Sequence, residues 1–232
     1  MCVCGKGEAV VVGTRISQVR GPGVEARGTC RVLVRDSCVA QSGKAGIYVR
    51  ENAAAEVRAS TLRGNGFAAV ECVGGGRVLV RGCMLADGLK GGVFVHSNGR
   101  AELQQTRVVG SAMAGVHVKW GGACRMQSCT VRDGRQAGAL VEGDVSLLHI
   151  IDSVVGGNRR HALLAMDGGT MVVAPTVGEG ARSAGPADLR VLEETAPSAG
   201  GWREEAGVES GSGGREEEAG DGGMQDAAGR RR

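Results

Sequence analysis

The chain contains few aromatic side chains, and this scarcity limits the ligands that it can bind by stacking. Phe, Trp and Tyr together make up 2% of the 232 residues. Proteins that hold single-stranded nucleic acid interleave basic residues with aromatic rings on which the bases stack. Carbohydrate-acting grooves likewise use aromatic rings. The composition therefore disfavours nucleic acid as a ligand and gives little support to a sugar-binding groove.

Long apolar runs and phosphate-binding loops are also missing. The run Ala9–Val12 has the length of a strand and is too short for the core of a secretion signal. No stretch has the ~20 apolar residues of a membrane-spanning helix. No glycine-rich segment ends in the Lys-Ser/Thr pair that cradles a phosphate. We therefore expect no membrane partner, no nucleotide cofactor, and a reducing cytoplasmic or nuclear setting.

What the sequence does contain is a repeat of 23 residues. One small residue marks each unit, at five intervals of 23 residues and one of 24. These markers are Gly23, Gly46, Ala69, Gly92, Gly115, Gly138 and Ala162. Three other series keep the same phase: an aliphatic or Met series from Val11, a Ser/Thr/Cys series from Thr14, and an aliphatic series from Ile16. Four series in phase over seven units define a repeat protein.

The apolar residues within each unit alternate with a period of two, as in Val32-Leu33-Val34. This is the spacing of strands rather than helices, and turn residues divide each unit into about three short strands. Copies of a strand one period apart run in the same direction, so a coiled chain places them side by side, ~4.8 Å apart. Such connections are right-handed. The pattern predicts an all-β fold, a right-handed parallel β-helix of about seven to eight coils.

The positions of the repeat have expected roles in such a solenoid. We expect the aliphatic series to form buried columns and the Ser/Thr/Cys series to lie at a corner, bonded to nearby backbone. A glycine marker suits a turn that needs a positive φ or a close backbone approach. Leucine-rich repeats have a similar period, but their L-x-x-L-x-L-x-x-N pattern occurs in no unit.

Two regions of opposite charge are expected. Residues 5–193 should form the β-helix domain, and residues 194–232, rich in Gly, Glu and Arg, a disordered tail. Residues 193–232 hold ten acidic and five basic side chains, and the preceding 192 residues hold 15 acidic and 23 basic ones. The solenoid is therefore expected to be basic, with an acidic tail that screens it and competes with acidic partners.

The unit resembles the right-handed β-helix repeat of several protein families. The segments Val34–Val39 and Gly46–Val49 carry its pattern, as do Met126–Val131 and Gly138–Val141, within a resemblance that covers about residues 5–190. Pectate lyases, alginate epimerases, copper-site periplasmic maturation proteins and the substrate-recognition repeats of F-box ubiquitin-ligase subunits have similar units. The resemblance implies either a non-enzymatic adaptor, with substrate recognition in ubiquitin ligation, or a carbohydrate-active or carbohydrate-binding β-helix.

The strongest catalytic candidates lie on the outward strip of one predicted sheet. His96, His117, Lys119 and Glu142 fall on adjacent coils, where His and Glu can exchange protons. No neighbouring coils present two acids, and the Asp-Pro-His signature of the epimerases is missing. Scattered polar side chains on an exposed sheet explain the pattern better. We therefore assign no catalytic residue, metal ligand or cofactor.

Arginines concentrate on another predicted sheet. Its candidate partner-binding residues are Arg31, Arg35, Arg58, Arg77, Arg81, Arg100 and Arg125. Arg35, Arg58 and Arg81 fall at the repeat spacing, so their charges are expected to stack on neighbouring coils, which is mildly destabilising. Such a face suits an acidic or phosphorylated protein partner. The alternative is a solvated, arginine-rich wall.

The eight cysteines are expected to remain thiols. Cys72 falls in an apolar column, and Cys83 and Cys129 in the small-residue series. The last two are two coils apart, too far for a disulfide. The Cys2-x-Cys4 pair has no second ligand pair at the spacing of a zinc site.

Overall fold

The computed structural model describes residues 1–174, which form 23 strands and no helix. The strands, numbered in chain order, lie in three parallel sheets. The first sheet contains β1 (Cys2–Gly5), β4 (Val24–Gly28), β7 (Ile47–Arg50), β10 (Ala68–Val73), β13 (Gly91–His96), β16 (Val116–Lys119), β19 (Ala137–Glu142) and β22 (His161–Met166). The second contains β2 (Glu8–Val12), β5 (Arg31–Arg35), β8 (Ala54–Arg58), β11 (Arg77–Arg81), β14 (Arg100–Gln104), β17 (Ala123–Gln127), β20 (Leu147–Ile151) and β23 (Thr170–Val173). The third contains β3 (Arg15–Ser17), β6 (Cys38–Ala40), β9 (Thr61–Arg63), β12 (Met84–Ala86), β15 (Arg107–Val109), β18 (Thr130–Arg132) and β21 (Val154–Gly156).

The register of the sheets confirms the repeat. Ile47 pairs with Val24 in the preceding coil and with Val70 in the following one. Seven coils are complete and β22 and β23 begin an eighth, as the sequence predicts. The first coil starts at Cys2 rather than at residue 5, because Cys2–Gly5 pairs along its whole length with β4. The predicted boundary at 193/194 and the predicted tail lie outside the described residues.

The inward side chains form continuous columns along the axis of the solenoid. Val34, Val57, Val80 and Leu103 stand in one column, and all four have no exposed surface. Each coil covers the apolar end of its neighbour, so the core grows coil by coil. The alternation of buried and outward residues along each strand fixes which side chains face a ligand.

The Ser/Thr/Cys series occupies the corner between the second and third sheets. The Ser37 amide donates to Ser60 Oγ at 3.1 Å, and the Ser37 hydroxyl donates to the Arg35 carbonyl at 2.7 Å. The Cys83 amide repeats the first bond, to Thr106 Oγ1 at 3.4 Å. The predicted role is therefore confirmed: one small side chain satisfies backbone groups in two coils.

The glycine markers serve close approach, and the alternative of a positive φ was wrong. A Cβ added at Gly115 would lie 2.6 Å from the Gly138 carbonyl oxygen, which no real side chain tolerates. Positive φ occurs instead at the residue before each Ser/Thr/Cys. The values include 52° at Asp36, 43° at Ala59 and 60° at Gly82.

All eight cysteines are free thiols in the structure, and five of them are buried. Cys72 pairs between Val49 and Val95 in an apolar column, as predicted. Among residues 1–174 there is no apolar helix of membrane-crossing length.

Candidate functional site

The five-residue strands of the second sheet present three rows of side chains outward. Their second and fourth residues point into the core, so the first, third and fifth face out. We call this outward surface, over strands β5, β8, β11, β14 and β17, the arginine face. Its first row is Arg31, Ala54, Arg77, Arg100 and Ala123. Its middle row is Leu33, Glu56, Leu79, Glu102 and Arg125, and its last row is Arg35, Arg58, Arg81, Gln104 and Gln127.

The last row brings three of the predicted arginines into direct register. Arg58 pairs with Arg35 on one side and with Arg81 on the other, and all three are exposed. Arg58 Nε contacts the Glu56 carboxylate, and this hydrogen bond raises the pKa of Arg58. Arg35 Nη1 lies 3.4 Å from Asp36 Oδ2. Arg81 forms no ion pair with a carboxylate of residues 1–174.

The first row places two more arginines side by side. Arg77 and Arg100 are neighbours, whereas Ala54 separates Arg77 from Arg31. These three arginines are exposed, and none forms an ion pair within the part of the chain that the structure describes.

Arg125 stands apart from the other six. It lies in the middle row, between Glu102 and His149, rather than at an edge. Its side chain is half-buried, and Nε is buried with no hydrogen-bond partner among residues 1–174. The structure therefore places six of the seven predicted arginines in two edge rows, with Arg31 set apart by Ala54, and places the seventh in the middle row.

The outward surface of the first sheet gathers the aromatic residues. Among residues 1–174 these are Tyr48, Phe67, Phe94 and Trp120, and all lie on this sheet or beside it. The Phe94 ring centroid is 5.8 Å from that of Phe67, 4.4 Å from that of His96 and 5.1 Å from that of His117. We call Phe67, Phe94 and Trp120, with the His, Lys and Glu side chains around them, the aromatic cluster; Tyr48 lies outside it and contacts Arg50.

The ionic side chains of the cluster form two groups. Glu142 Oε1 lies 3.4 Å from both His117 Nε2 and Lys119 Nζ. His96 Nε2 instead lies 3.3 Å from Glu71 Oε1 in the preceding coil. The candidate quartet from the sequence is therefore divided, with three members in contact and His96 paired elsewhere.

Burial lowers the pKa of His117, and the Glu142 carboxylate opposes that shift. The 3.4 Å separation from Glu142 is longer than a hydrogen bond suited to proton transfer, and His117 Nε2 is buried with no hydrogen-bond partner among residues 1–174. Lys119 Nζ lies 3.8 Å from the Trp120 ring centroid, in a cation–π contact that holds the lysine over the cluster.

Sequence reasoning missed Trp120 and the role of Glu71. Trp120 follows the last residue of β16 and lies at a corner, where it is 61% exposed. The outward rows of the first sheet were derived from the repeat. In this coil they stop at Lys119, the last residue of the strand, so they leave out the residues at the corner. Reading one residue further in each coil would have placed Trp120 beside Ser97, the residue that follows His96; the ring centroids of Trp120 and His96 are 5.7 Å apart.

Within residues 1–174 no three His, Cys, Asp or Glu side chains are placed to hold a metal ion. A family model described as the right-handed β-helix region matches residues 2–176, well over half of the chain. The chain therefore belongs to the right-handed β-helix family. No curated protein and no solved structure matches it at a significant level.

Proposed function

We propose that this protein is a non-enzymatic binding module that holds an acidic or phosphorylated segment of a protein partner on its arginine face. The observation that carries the proposal is the unbroken register of Arg35, Arg58 and Arg81 along the last row. Like charges directly opposite each other on neighbouring strands destabilise a sheet. An anion bound between them reverses this repulsion.

The chemistry of the face fits phosphate and carboxylate. A guanidinium group presents a planar fork of donors that binds either anion through two parallel hydrogen bonds. The ion pairs that Arg35 and Arg58 already form are exposed, and such pairs contribute little stability. They can therefore exchange for a ligand. The strands of the second sheet contain no Phe, Tyr or Trp, which removes the base stacking that single-stranded nucleic acid uses.

Charge reversal tests the proposal. The triple variant Arg35→Glu, Arg58→Glu and Arg81→Glu should lose binding to acidic and phosphorylated peptides, with its thermal midpoint nearly unchanged. The matched control reverses Arg15, Arg63 and Arg107, which are exposed on the third sheet, and should bind as the parent does. Equal binding by the two triple variants would contradict the proposal.

The finer form of this proposal is substrate recognition in ubiquitin ligation. It is supported by the resemblance of the coils to the recognition repeats of F-box subunits. Proximity labelling from the full chain in cells should then enrich ubiquitin-ligase subunits, and the arginine-face triple variant should keep them while losing the substrates. If labelling enriches no ligase subunit, the protein is a binding module of another kind.

Carbohydrate binding is a second candidate, favoured by the aromatic cluster. A chain so poor in aromatics places Phe67, Phe94 and Trp120 beside imidazole, carboxylate and ammonium groups that can bond sugar hydroxyls. Affinity electrophoresis against neutral and uronate polysaccharides tests it. Phe94→Ala and Trp120→Ala should each abolish a retardation that the arginine-face variant retains, and a parent that no polysaccharide retards would exclude this candidate.

A further inference from the structure

Two strands of the arginine face have the same sequence and the same exposure. Strands β5 and β11 both read Arg-Val-Leu-Val-Arg, with two buried valines and an outward Arg, Leu and Arg. In β11 the outward residues are Arg77, Leu79 and Arg81. The strand between them, β8, keeps only the last arginine, because Ala54 and Glu56 take the other outward positions. The motif therefore recurs two coils apart.

We infer that the arginine face recognises an extended segment with two anionic residues four positions apart and an apolar residue midway between them. The inference rests on the proposed function and specifies its ligand. An extended segment and a parallel strand both rise ~3.3 Å per residue and alternate their side chains. Residues 1, 3 and 5 of a segment lying along β11 therefore face Arg77, Leu79 and Arg81 in register.

The neighbouring coils strengthen the two outer positions. The anion over Arg81 also meets Arg58, and the anion over Arg77 also meets Arg100, because these arginines are direct register partners. Each anion, carboxylate or phosphate, is thus shared by two guanidinium groups.

The middle position selects against charge. Glu56 and Glu102 are the register partners of Leu79 on its two sides. An acidic side chain placed over Leu79 would be repelled by both carboxylates, whereas an apolar one would cover the half-buried leucine. The face therefore discriminates the position of the acids as well as their number.

The β5 site should be the weaker of the two. Arg31 has Glu8 and Ala54 as its register partners, so its anion gains no second arginine and faces a carboxylate. Arg35 is in addition engaged by Asp36. Occupancy is expected first at β11 and then at β5.

Fluorescence anisotropy with two labelled peptides of identical composition tests the inference on the full chain. The first peptide is Asp-Ala-Leu-Ala-Asp within a neutral flank, and its isomer Asp-Ala-Leu-Asp-Ala moves one acid by one residue. The first should bind about fivefold more tightly than the isomer. Replacing both Asp by phosphoserine should preserve that ratio and tighten both complexes.

Matched variants locate the preference. Arg77→Gln with Arg81→Gln should reduce the difference between isomers to the smaller one that the weaker β5 site supports, whereas Arg63→Gln with Arg107→Gln on the third sheet should leave it intact. Isomers that bind the parent equally would overturn the inferred spacing and leave the proposed acidic-partner function standing. If no acidic or phosphorylated peptide binds the parent, the inferred spacing and the proposed acidic-partner function are both contradicted.

Discussion

At the corner between the second and third sheets, one residue in each coil has a left-handed backbone. Asp36, Ala59 and Gly82 occupy this position in successive coils, with φ of 52°, 43° and 60°. The amide of each donates to a carbonyl of the next coil, as Ala59 does to Arg81 at 3.0 Å. The corner geometry is therefore held by the backbone, and the side chain at this position adapts to it.

Exchanges at this corner should change stability with opposite signs. An L-residue with a side chain is strained at such a φ, and glycine is not, although glycine loses more entropy on folding. Ala59→Gly should stabilise the protein by a net ~0.5 kcal/mol, and Gly82→Ala should destabilise it by ~1 kcal/mol. Urea denaturation measures both. Shifts of the same sign would show that the corner is not under backbone strain.

The half-buried imidazole of His117 predicts a loss of stability in mild acid. Burial lowers its pKa below 6.5, with Lys119 and His96 acting in the same direction and the Glu142 carboxylate against them. As the pH falls below about 6.5, the unfolded chain takes up the proton first, so folding stability declines until the folded-state pKa is passed. At higher pH His117 is neutral in both the folded and the unfolded chain, so it does not change how folding stability depends on pH.

The His117→Gln variant should remove this part of the pH dependence. As the pH is lowered from ~7.5 to ~5, the thermal midpoint of the variant should rise relative to that of the parent, because the parent alone loses this stability. Leu164→Gln, on the same sheet, replaces a side chain that does not titrate, so it provides the control and its difference from the parent should not change with pH. A His117 variant whose difference from the parent is constant with pH would contradict the assignment.

At the scale of single strands, β1 differs from the rest in its thiols. Cys2 and Cys4 are exposed on this edge strand, whereas Cys72, Cys83, Cys124 and Cys129 are buried. Burial raises the pKa of all four buried thiols, that of Cys72 to about 12. Since the thiolate is the reactive form, alkylation of the native protein at pH ~8 should modify Cys2 and Cys4 alone among these six. Mass spectrometry of the labelled peptides identifies the modified cysteines. Rapid labelling of Cys72 would contradict the prediction and would mean that the coil around it opens.

The columns of the core could be predicted from the sequence, because each coil buries the same position against its neighbours. Val34, Val57 and Val80 therefore keep one residue type. The left-handed corner could not be predicted from the sequence, because Asp, Ala, Gly, Gln and Ser all occupy it and share no sequence pattern.

The arginine rows could be predicted from the repeat spacing alone. The same spacing puts Arg125 in register with Glu102 rather than with an arginine. The ion pairs of Arg35 and Arg58 could not be predicted, because they depend on side-chain conformations that the repeat does not specify.

On the scale of the whole molecule, each coil within residues 1–174 is a unit that pairs with the coils next to it. Removing residues 61–83, one complete repeat, joins Ser60 to Met84 and restores every column. Ile47 would lie beside Val93 and Val57 beside Leu103, both pairs of inward aliphatic residues. We expect circular dichroism of the shortened protein to keep its β-structure, with a lower unfolding midpoint because one interface between coils is lost.

A deletion that ignores the repeat gives the contrasting result. Removing residues 61–80 shifts the following coils by three positions, which turns inward side chains outward, and should prevent folding. The in-register deletion also removes β11 with Arg77, Leu79 and Arg81 and leaves β5 intact. It should therefore bind the spaced acidic peptide only at the weaker site, with about half the stoichiometry. A folded deletion protein with unchanged affinity and stoichiometry would show that the acidic segment does not lie along β11.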